Sequence, residues 1–346
     1  MRIVLDAMGS DNCPQPEVQA AIEAALQWGD QIFLVGPVEQ LKPLLEALGG
    51  IPPNLHLVEA PDTITMQDKG LKLALKAKRR NAKNSMAVGM DLLKNLEADA
   101  FVTAGNTGGA LTTAFFRLGV LSGVERPALT TLFPVRKGFC TILDIGANPD
   151  CKPEHLLQFA VMGSVFSQAV RGLTNPRVGL LSNGEEAGKG NELVRNTYPL
   201  LEKSGLNFIG NVEGKEVFGG EADVVITDGF TGNVLMKGSE AVAKLLMDIL
   251  KDELMSSTRS KLGALLAKPA FVSLKNKMDP DEIGAAPLLG INGLVFVGHG
   301  RSNARALVSA IRTARNAIEA DLLSALRTAI QERLANMPSQ KVQALL

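Results

Sequence analysis

One local pattern constrains this chain more than any other: a short apolar strand breaks at a turn rich in glycine and asparagine, then restarts as a helix. The clearest copy is residues 223–237, DVVITDGFTGNVLMK. Val224, Val225, Ile226 and Thr227 form a β-branched run short enough for a buried parallel strand. Asp228, Gly229, Phe230, Thr231, Gly232 and Asn233 supply turn chemistry, and Val234, Leu235, Met236, Ala241, Val242, Leu245 and Leu246 continue at helical spacing. Such a junction aims backbone N–H groups and the positive end of a helix dipole at one spot, which favours a phosphate or a carboxylate.

The same grammar recurs at residues 100–109 (AFVTAGNTGG), 141–148 (TILDIGAN) and 178–186 (VGLLSNGEE). In an open parallel sheet all such turns lie at the carboxyl ends of the strands, so the four are expected to line one crevice. Any single turn reads first as architecture, because glycine and asparagine tolerate positive φ. Their repetition, each with an Asn or Asp beside the glycines, supports a shared polar site.

Alternating strands and helices over the first 60 residues give a βαβ sheet and an α/β class. Residues 126–134 and 139–143 read as two strands joined by four residues with a glycine, a connection that makes them antiparallel neighbours in a mixed sheet. A soft subdomain seam is therefore placed near 125–150, within one unit covering 1–346. The chain's 346 residues suit one large α/β domain or two intimately joined ones.

Lys+Arg and Asp+Glu are both 36, so no global charge points to nucleic acid, and the single Trp argues against base stacking. Cys13, Cys140 and Cys151 lack CxxC or CxxH spacing and read as reduced thiols, with neither a disulfide frame nor a metal site. The N-terminus reads as a first strand rather than a leader, and no apolar run approaches the ~18 residues needed to span a bilayer. The expectation is a soluble, cytoplasmic protein, or one that at most lies on a membrane surface.

GxGxxG with its acidic partner, GxxxxGK[ST], GxSxG and HExxH are all absent from the sequence. What remains is amides, carboxylates, backbone N–H groups, Lys69, Lys237 and His299. That inventory suits binding an anion, polarising a carbonyl and stabilising an oxyanion without a covalent intermediate, as in direct acyl transfer to phosphate, with no cofactor. Asp6 and Asp11 flank the first turn, where capping and a site role are both open. Asp68 and Lys69 sit where a loop would fold over a ligand. His155, with helical neighbours, reads as a cap. His299, between glycines at a strand end, is the best placed histidine for proton transfer, turn stabilisation being the competing reading. The segment at about 245–277 interleaves Leu254, Leu262, Leu265 and Leu266 with Lys251, Arg259, Lys261, Lys268, Lys275 and Lys277; it suits an anionic membrane, an acidic protein or a partner subunit.

The motifs DAMG (6–9), MQDK (66–69), AGNTG (104–108), RPA (126–128), LDIGAN (143–148), GEE (184–186), GNVEG (210–214), DGFTGNV (228–234) and GAAPLLGING (284–293) occur in one order. In that order and over nearly the whole chain, the sequence resembles the bacterial acyl-ACP:phosphate acyltransferases, the PlsX family of phospholipid synthesis. It departs from the family pattern at Ser10, Gly70 and Ser182-Asn183.

The resemblance implies that acyl-ACP and inorganic phosphate give acyl phosphate and free acyl carrier protein (ACP), which feeds phosphatidic acid synthesis. It also implies a three-layer α/β/α sandwich like isocitrate and isopropylmalate dehydrogenases and phosphotransacetylase, a homodimer, and peripheral membrane attachment. Read onto this sequence, phosphate is expected at Asn106, Thr107, Gly108, Thr231, Gly232 and Asn233, with Lys237 adding charge. Asn148 or Asn292 would stabilise the oxyanion, His299 would protonate the thiolate or orient phosphate, and Asp228 is included with the catalytic set. Asp6, Gly9, Asp68, Lys69, Asp144, Asn183 and Glu185 complete the expected substrate site, and the basic 251–277 stretch would receive ACP. A related enzyme using acyl-CoA, or a lipid-binding protein at the membrane surface, are the alternative readings.

Overall fold

The computed structural model describes residues 1–79, 81–278 and 284–334. The first part of the chain forms β1 (Arg2–Asp6), α1 (Gln15–Trp28), β2 (Gln31–Gly36), α2 (Val38–Ala47), β3 (Leu55–Glu59), α3 (Gly70–Lys78), α4 (Ser85–Lys94), β4 (Ala100–Thr103) and α5 (Thr107–Arg117). The middle adds β5 (Ala128–Val135), β6 (Gly138–Leu143), α6 (Pro153–Ala169), β7 (Val178–Leu181), α7 (Glu192–Glu202), β8 (Phe208–Val212), α8 (Gly214–Gly219) and β9 (Val224–Ile226). The last part holds α9 (Gly229–Met255), α10 (Thr258–Met278), β10 (Ala286–Leu289), β11 (Leu294–Val297), α11 (Ala304–Glu319) and α12 (Leu322–Leu334).

Among the described residues eleven strands join one sheet in the order β3-β2-β1-β4-β11-β10-β5-β6-β9-β7-β8. The expected mixed, mostly parallel sheet is present, with one difference of substance. Strands β3, β2, β1, β4 and β11 run parallel as one block, and β6, β9, β7 and β8 run parallel as another. Between them, β11–β10, β10–β5 and β5–β6 are three successive antiparallel pairs, so the two blocks point in opposite directions. The strand-end turns therefore do not share the edge of one parallel sheet.

The register brings them together all the same. Val297, at the end of β11, lies opposite Ala286, and Phe296 opposite Pro287. One strand over, Leu288 faces Leu129, and the next residue of β5, Thr130, faces Leu143 at the end of β6. The carboxyl ends of β11 and β6 thus stop within about one residue of the same level. Each block directs its strand-end turns at the seam.

Local sequence explains most elements. Asn84, Asn106, Asn191, Asp228 and Asn303 each cap a helix by accepting from the backbone N–H three residues on. Helix α6 is apolar nearly all round and is buried from His155 to Ser167, as a helix covered on every side must be. His155 sits at its start, accepting from Lys152 N at 3.1 Å and meeting Glu125 at 3.3 Å, which is the capping role its neighbours suggested. The final helical stretch breaks into α11 and α12 at Asp321, whose φ is +45°. Strand β10 carries Pro287, a residue that argues locally against a central strand. Helices α9 and α10 pack on each other as a helical hairpin.

Gly163 places the α6 backbone against the strands of the second block. A Cβ there would lie 2.6 Å from Leu143 Cδ1 and 2.8 Å from Val224 Cγ1. Gly163→Ala is expected to cost about 1–3 kcal/mol by overpacking, read as a lower thermal unfolding midpoint with the far-UV spectrum unchanged.

Candidate active site

A cavity of about 810 Å³ opens over the seam and is lined by residues of both blocks. From the first block come Asp11, Gly105, Thr107 and the run from Val297 to Arg301; from the second come Ile145, Gly146, Phe218, Asn233, Met236, Lys237 and Glu240. Strand β5 forms its floor.

The first-block wall consists of three turns fastened to one another. Gly9 touches the next turn so closely that a Cβ would lie 2.9 Å from the backbone N of Ala104 and of Gly105. Asp11 N donates to Gly300 O at 2.7 Å, and Gly298 N to Thr103 O at 2.7 Å. Asp6, 1% exposed, accepts from Met8 N and from Thr103 Oγ1. Burial pushes its carboxyl upward, against the hydrogen bonds of Thr103 and Met8. Asp6 thus holds the wall from behind.

Asp144 does the same for the second block. Its carboxylate accepts from the backbone N–H groups of Leu129, Gly146, Ala147 and Asn148 and from the Asn148 amide. Burial raises this carboxyl too, with those bonds opposing. The Asn148 amide also donates to Pro127 O at 2.7 Å, so both of its hydrogens are engaged and it is not placed as an oxyanion donor. Asp228 caps α9 through Thr231 N and accepts the Thr231 hydroxyl, which removes Thr231 as a phosphate donor. Gly232 serves packing: a Cβ there would come within 1.9 Å of Asp144 O. Of that turn, Asn233 reaches the cavity, with Lys237 one helical turn later.

At the Asn106 turn, the side-chain oxygen caps α5 through Gly109 N, while the amide donates to Thr65 O and Asp68 O, each at 3.1 Å. Asn106 therefore ties the 63–68 segment over the site, and that segment lends Met66 to the cavity. The fully buried Asp68 turns away from it, to Lys72 at 2.8 Å and Lys76 at 2.6 Å, and the two ammonium groups hold its carboxyl well below the usual range. Lys69 is exposed at the start of α3. Thr107 lines the cavity at the N-terminus of α5, and Gly108 follows it.

Several expected residues lie elsewhere. Asn292 is exposed and accepts from Arg327 at 2.6 Å. Asn183 is exposed, and Glu185 pairs at 2.5 Å with Lys215, which also meets Glu213 and Glu216; neither lines the cavity. Lys251, Arg259, Lys261, Leu262, Leu265, Leu266 and Lys268 are exposed on the α9–α10 hairpin and Leu254 is half-buried. The side chains from 273 to 283, Lys275 and Lys277 among them, lie outside the described residues. Among the described residues no helix is long and apolar enough to cross a membrane.

The cavity also holds what sequence reasoning passed over. Arg301 stands two residues from His299 in the same turn and carries no local motif of its own. Thr131, Phe133, Phe218 and Met236 left no local signal at all. Lys237, His299 and Arg301 bring basic side chains to the cavity lining beside the start of α5, and Leu129, Leu132, Phe133 and Pro134 of β5 add apolar surface to it. Burial pushes the Cys151 and Cys140 thiols up to about 12 and Cys13 to about 11, so none supplies a thiolate at neutral pH.

Residues 1–325 match the family described as fatty acid synthesis protein. The chain is 44% identical over 333 residues to the phosphate acyltransferase of Pelotomaculum thermopropionicum, covering 96% of this chain and 95% of that one. It is 42% identical over 348 residues to that of Geotalea uraniireducens, covering 99% of each. Among solved structures, a phosphotransacetylase from Streptococcus pyogenes superposes with a TM-score of 0.62 at 16% identity, over 92% of this chain and 94% of that one. A 4-hydroxythreonine-4-phosphate dehydrogenase from Klebsiella pneumoniae gives 0.55 at 12% identity, over 91% and 98%. These two likenesses are of fold.

Behind the first wall, Glu17 is fully buried and accepts from Ser10 N at 2.8 Å; burial raises its carboxyl from 4.5 to about 7. Between those values the folded protein keeps a proton that the unfolded chain has released, so stability falls as pH rises through this window, by about 3 kcal/mol at most. Denaturant midpoints for Glu17→Gln are expected to change less between pH 5 and 7.5 than those of the unaltered protein. Equal slopes would show that Glu17 titrates normally.

Proposed function

The chain belongs to the family of phosphate acyltransferases, enzymes that transfer acyl groups with phosphate as a substrate, and from that premise we propose that its donor is acyl-ACP and its product an acyl phosphate destined for phosphatidic acid. The observation that carries this reading is one cavity whose lining combines basic side chains with the apolar residues of β5 and α9. Phosphate sits among Thr107 and Gly108 at the start of α5, Asn233, Lys237, His299 and Arg301. One of its anionic oxygens attacks the thioester carbonyl carbon, the tetrahedral oxyanion collapses, the C–S bond breaks and the thiolate leaves. Because the attacking oxygen already carries charge, no side chain need remove a proton from it. His299 donates a proton to the departing sulfur or steadies the phosphate, and the cationic neighbours offset the charge of the intermediate.

The walls supply position rather than chemistry. Asp6 and Asp144 fix the turns, and Asn106 holds the 63–68 segment in place. Acyl carrier protein is acidic and meets the exposed basic face of α10, whose 258–278 sequence contains no Asp or Glu. Exposed Val242, Leu245, Leu246 and Ile249 on α9 suit a membrane surface or a second copy of the chain.

The test is thiol release from palmitoyl-ACP, with and without inorganic phosphate and with palmitoyl-CoA in parallel. Release is expected to require phosphate and to be much faster from the carrier protein; equal rates from CoA would shift the donor assignment. His299→Ala is expected to lower kcat by about 100-fold, near the low end for a general acid, because a thiolate of pKa near 8.5 leaves with little help. A loss of only a fewfold with the fold intact takes His299 out of the chemistry. The KM for acyl-ACP is expected to rise with ionic strength, and a salt-independent KM removes α10 as the contact.

A further inference from the structure

We infer that the acyl chain lies in the apolar arm of the cavity, between β5 and α9, and that Phe218 at its far end governs which chain lengths are accepted. This rests on the acyltransferase reading above and adds the site for the alkyl part of the donor.

Two independent periodicities meet on this arm. Leu129, Thr131 and Phe133 recur every second residue along β5 and share one face of the strand, and Leu132 and Pro134 join them in the lining towards the strand's end. Asn233, Met236, Lys237, Glu240 and Ala243 recur at three- and four-residue spacing along α9, which puts them on one face of the helix. The two elements run the same way. Strand β5 is antiparallel to β6, and β6 is parallel to β9; α9 turns back from the end of β9 and so follows the direction of β5. Both therefore lead from the anion end, where Ile145 N donates to Leu129 O and Gly146 lies against Asn233, towards α8, where Arg136 N donates to Phe218 O.

The dimensions fit an alkyl chain. Beyond Lys237, six helical residues to Ala243 span about 9 Å, and two strand residues from Thr131 to Phe133 span about 7 Å. An extended chain advances roughly 1.3 Å per carbon, from C–C bonds of about 1.5 Å, so the arm takes roughly five to seven carbons. At the far end Phe133, buried, and Phe218, 43% exposed, meet edge to face with centroids 5.4 Å apart. Longer chains must pass Phe218 to reach solvent. Glu240, half-buried in this arm, disfavours a second anion there. The phosphate is thereby kept at the Lys237–Arg301 end and the donor has one orientation.

The experiment compares the unaltered protein with Phe218→Trp, Phe218→Ala and Ala243→Phe, using octanoyl-, dodecanoyl-, palmitoyl- and stearoyl-ACP as donors. In parallel, binding of cis-parinaric acid, a fluorescent long-chain probe, is measured without phosphate or carrier protein. Phe218→Trp and Ala243→Phe are expected to lower kcat/KM for palmitoyl and stearoyl donors about tenfold relative to octanoyl, and to weaken the probe about tenfold; a pocket typically discriminates at this scale per methylene. Phe218→Ala is expected to flatten the chain-length profile. If the unaltered protein transfers acyl groups but all three variants keep its profile and its probe affinity, the arm does not hold the chain and the inference falls while the transferase reading stands. If it transfers nothing from any donor yet loses the probe in Ala243→Phe, the transferase reading falls and the alkyl site stands. Folding is checked by thermal unfolding, and since Phe218 is partly exposed and Ala243 faces the cavity, both positions tolerate the change.

Discussion

The architecture depends on a very short stretch of antiparallel pairing, Leu129 with Leu288 and Ala128 with Leu289. Through those two rungs a block of strands pointing one way continues into a block pointing the other. Were β10 absent, the two carboxyl edges would have no common level and the cationic groups of Lys237 on one block and His299 and Arg301 on the other would have no common space. A site between opposed blocks has a useful property: each block contributes the ends of its strands, where side chains are free of sheet pairing, and neither has to donate residues from its core.

Both blocks solve the same mechanical problem in the same way. Each turn at the seam bends sharply and leaves backbone N–H groups pointing inward, and an unmet buried N–H costs about 1–3 kcal/mol. A carboxylate behind the turn, Asp6 in one block and Asp144 in the other, accepts those bonds. Both groups are buried enough that their own ionisation is opposed, so their value lies in the number of donors they gather. The glycines at these turns, Gly9 and Gly232, are required by close backbone approach rather than by an unusual φ.

The sequence told a reader where strands end and helices begin, because that information is local: β-branched runs, capping residues and turn glycines act within a few positions. It pointed to the turns of Asn106, Asp144 and Asp228 for the same reason. What those side chains do was not legible, since the oxygen that caps a helix and the oxygen that holds a ligand are the same atom in the same residue. Asn106 and Asp228 proved to be caps, Asn148 a brace, and Asn292 a surface residue tied to Arg327. The reversal between the blocks comes from the β5–β6 hairpin, which was legible, but the junction that joins the blocks was hidden because it rests on β10, a four-residue strand with Pro287 in it, and proline argues against a central strand in any local reading. The apolar arm was hidden because its residues lie on two distant elements, and nothing in either period says that the other faces it.

Strand β11 sits between β4 and β10, so residues 294–297 complete a sheet begun at residue 2. During synthesis the N-terminal block emerges first and must wait, with the edge of β4 unpaired, until nearly 200 further residues have followed; an open apolar edge is a template for pairing with another chain. The cavity shares that timing, since His299 and Arg301 arrive after every other part of it. A nascent or truncated chain lacking these last strands therefore carries Lys237, Asn233 and the whole β5 floor without the opposing wall, and has the pieces of an anion site but no enclosure in which to use them.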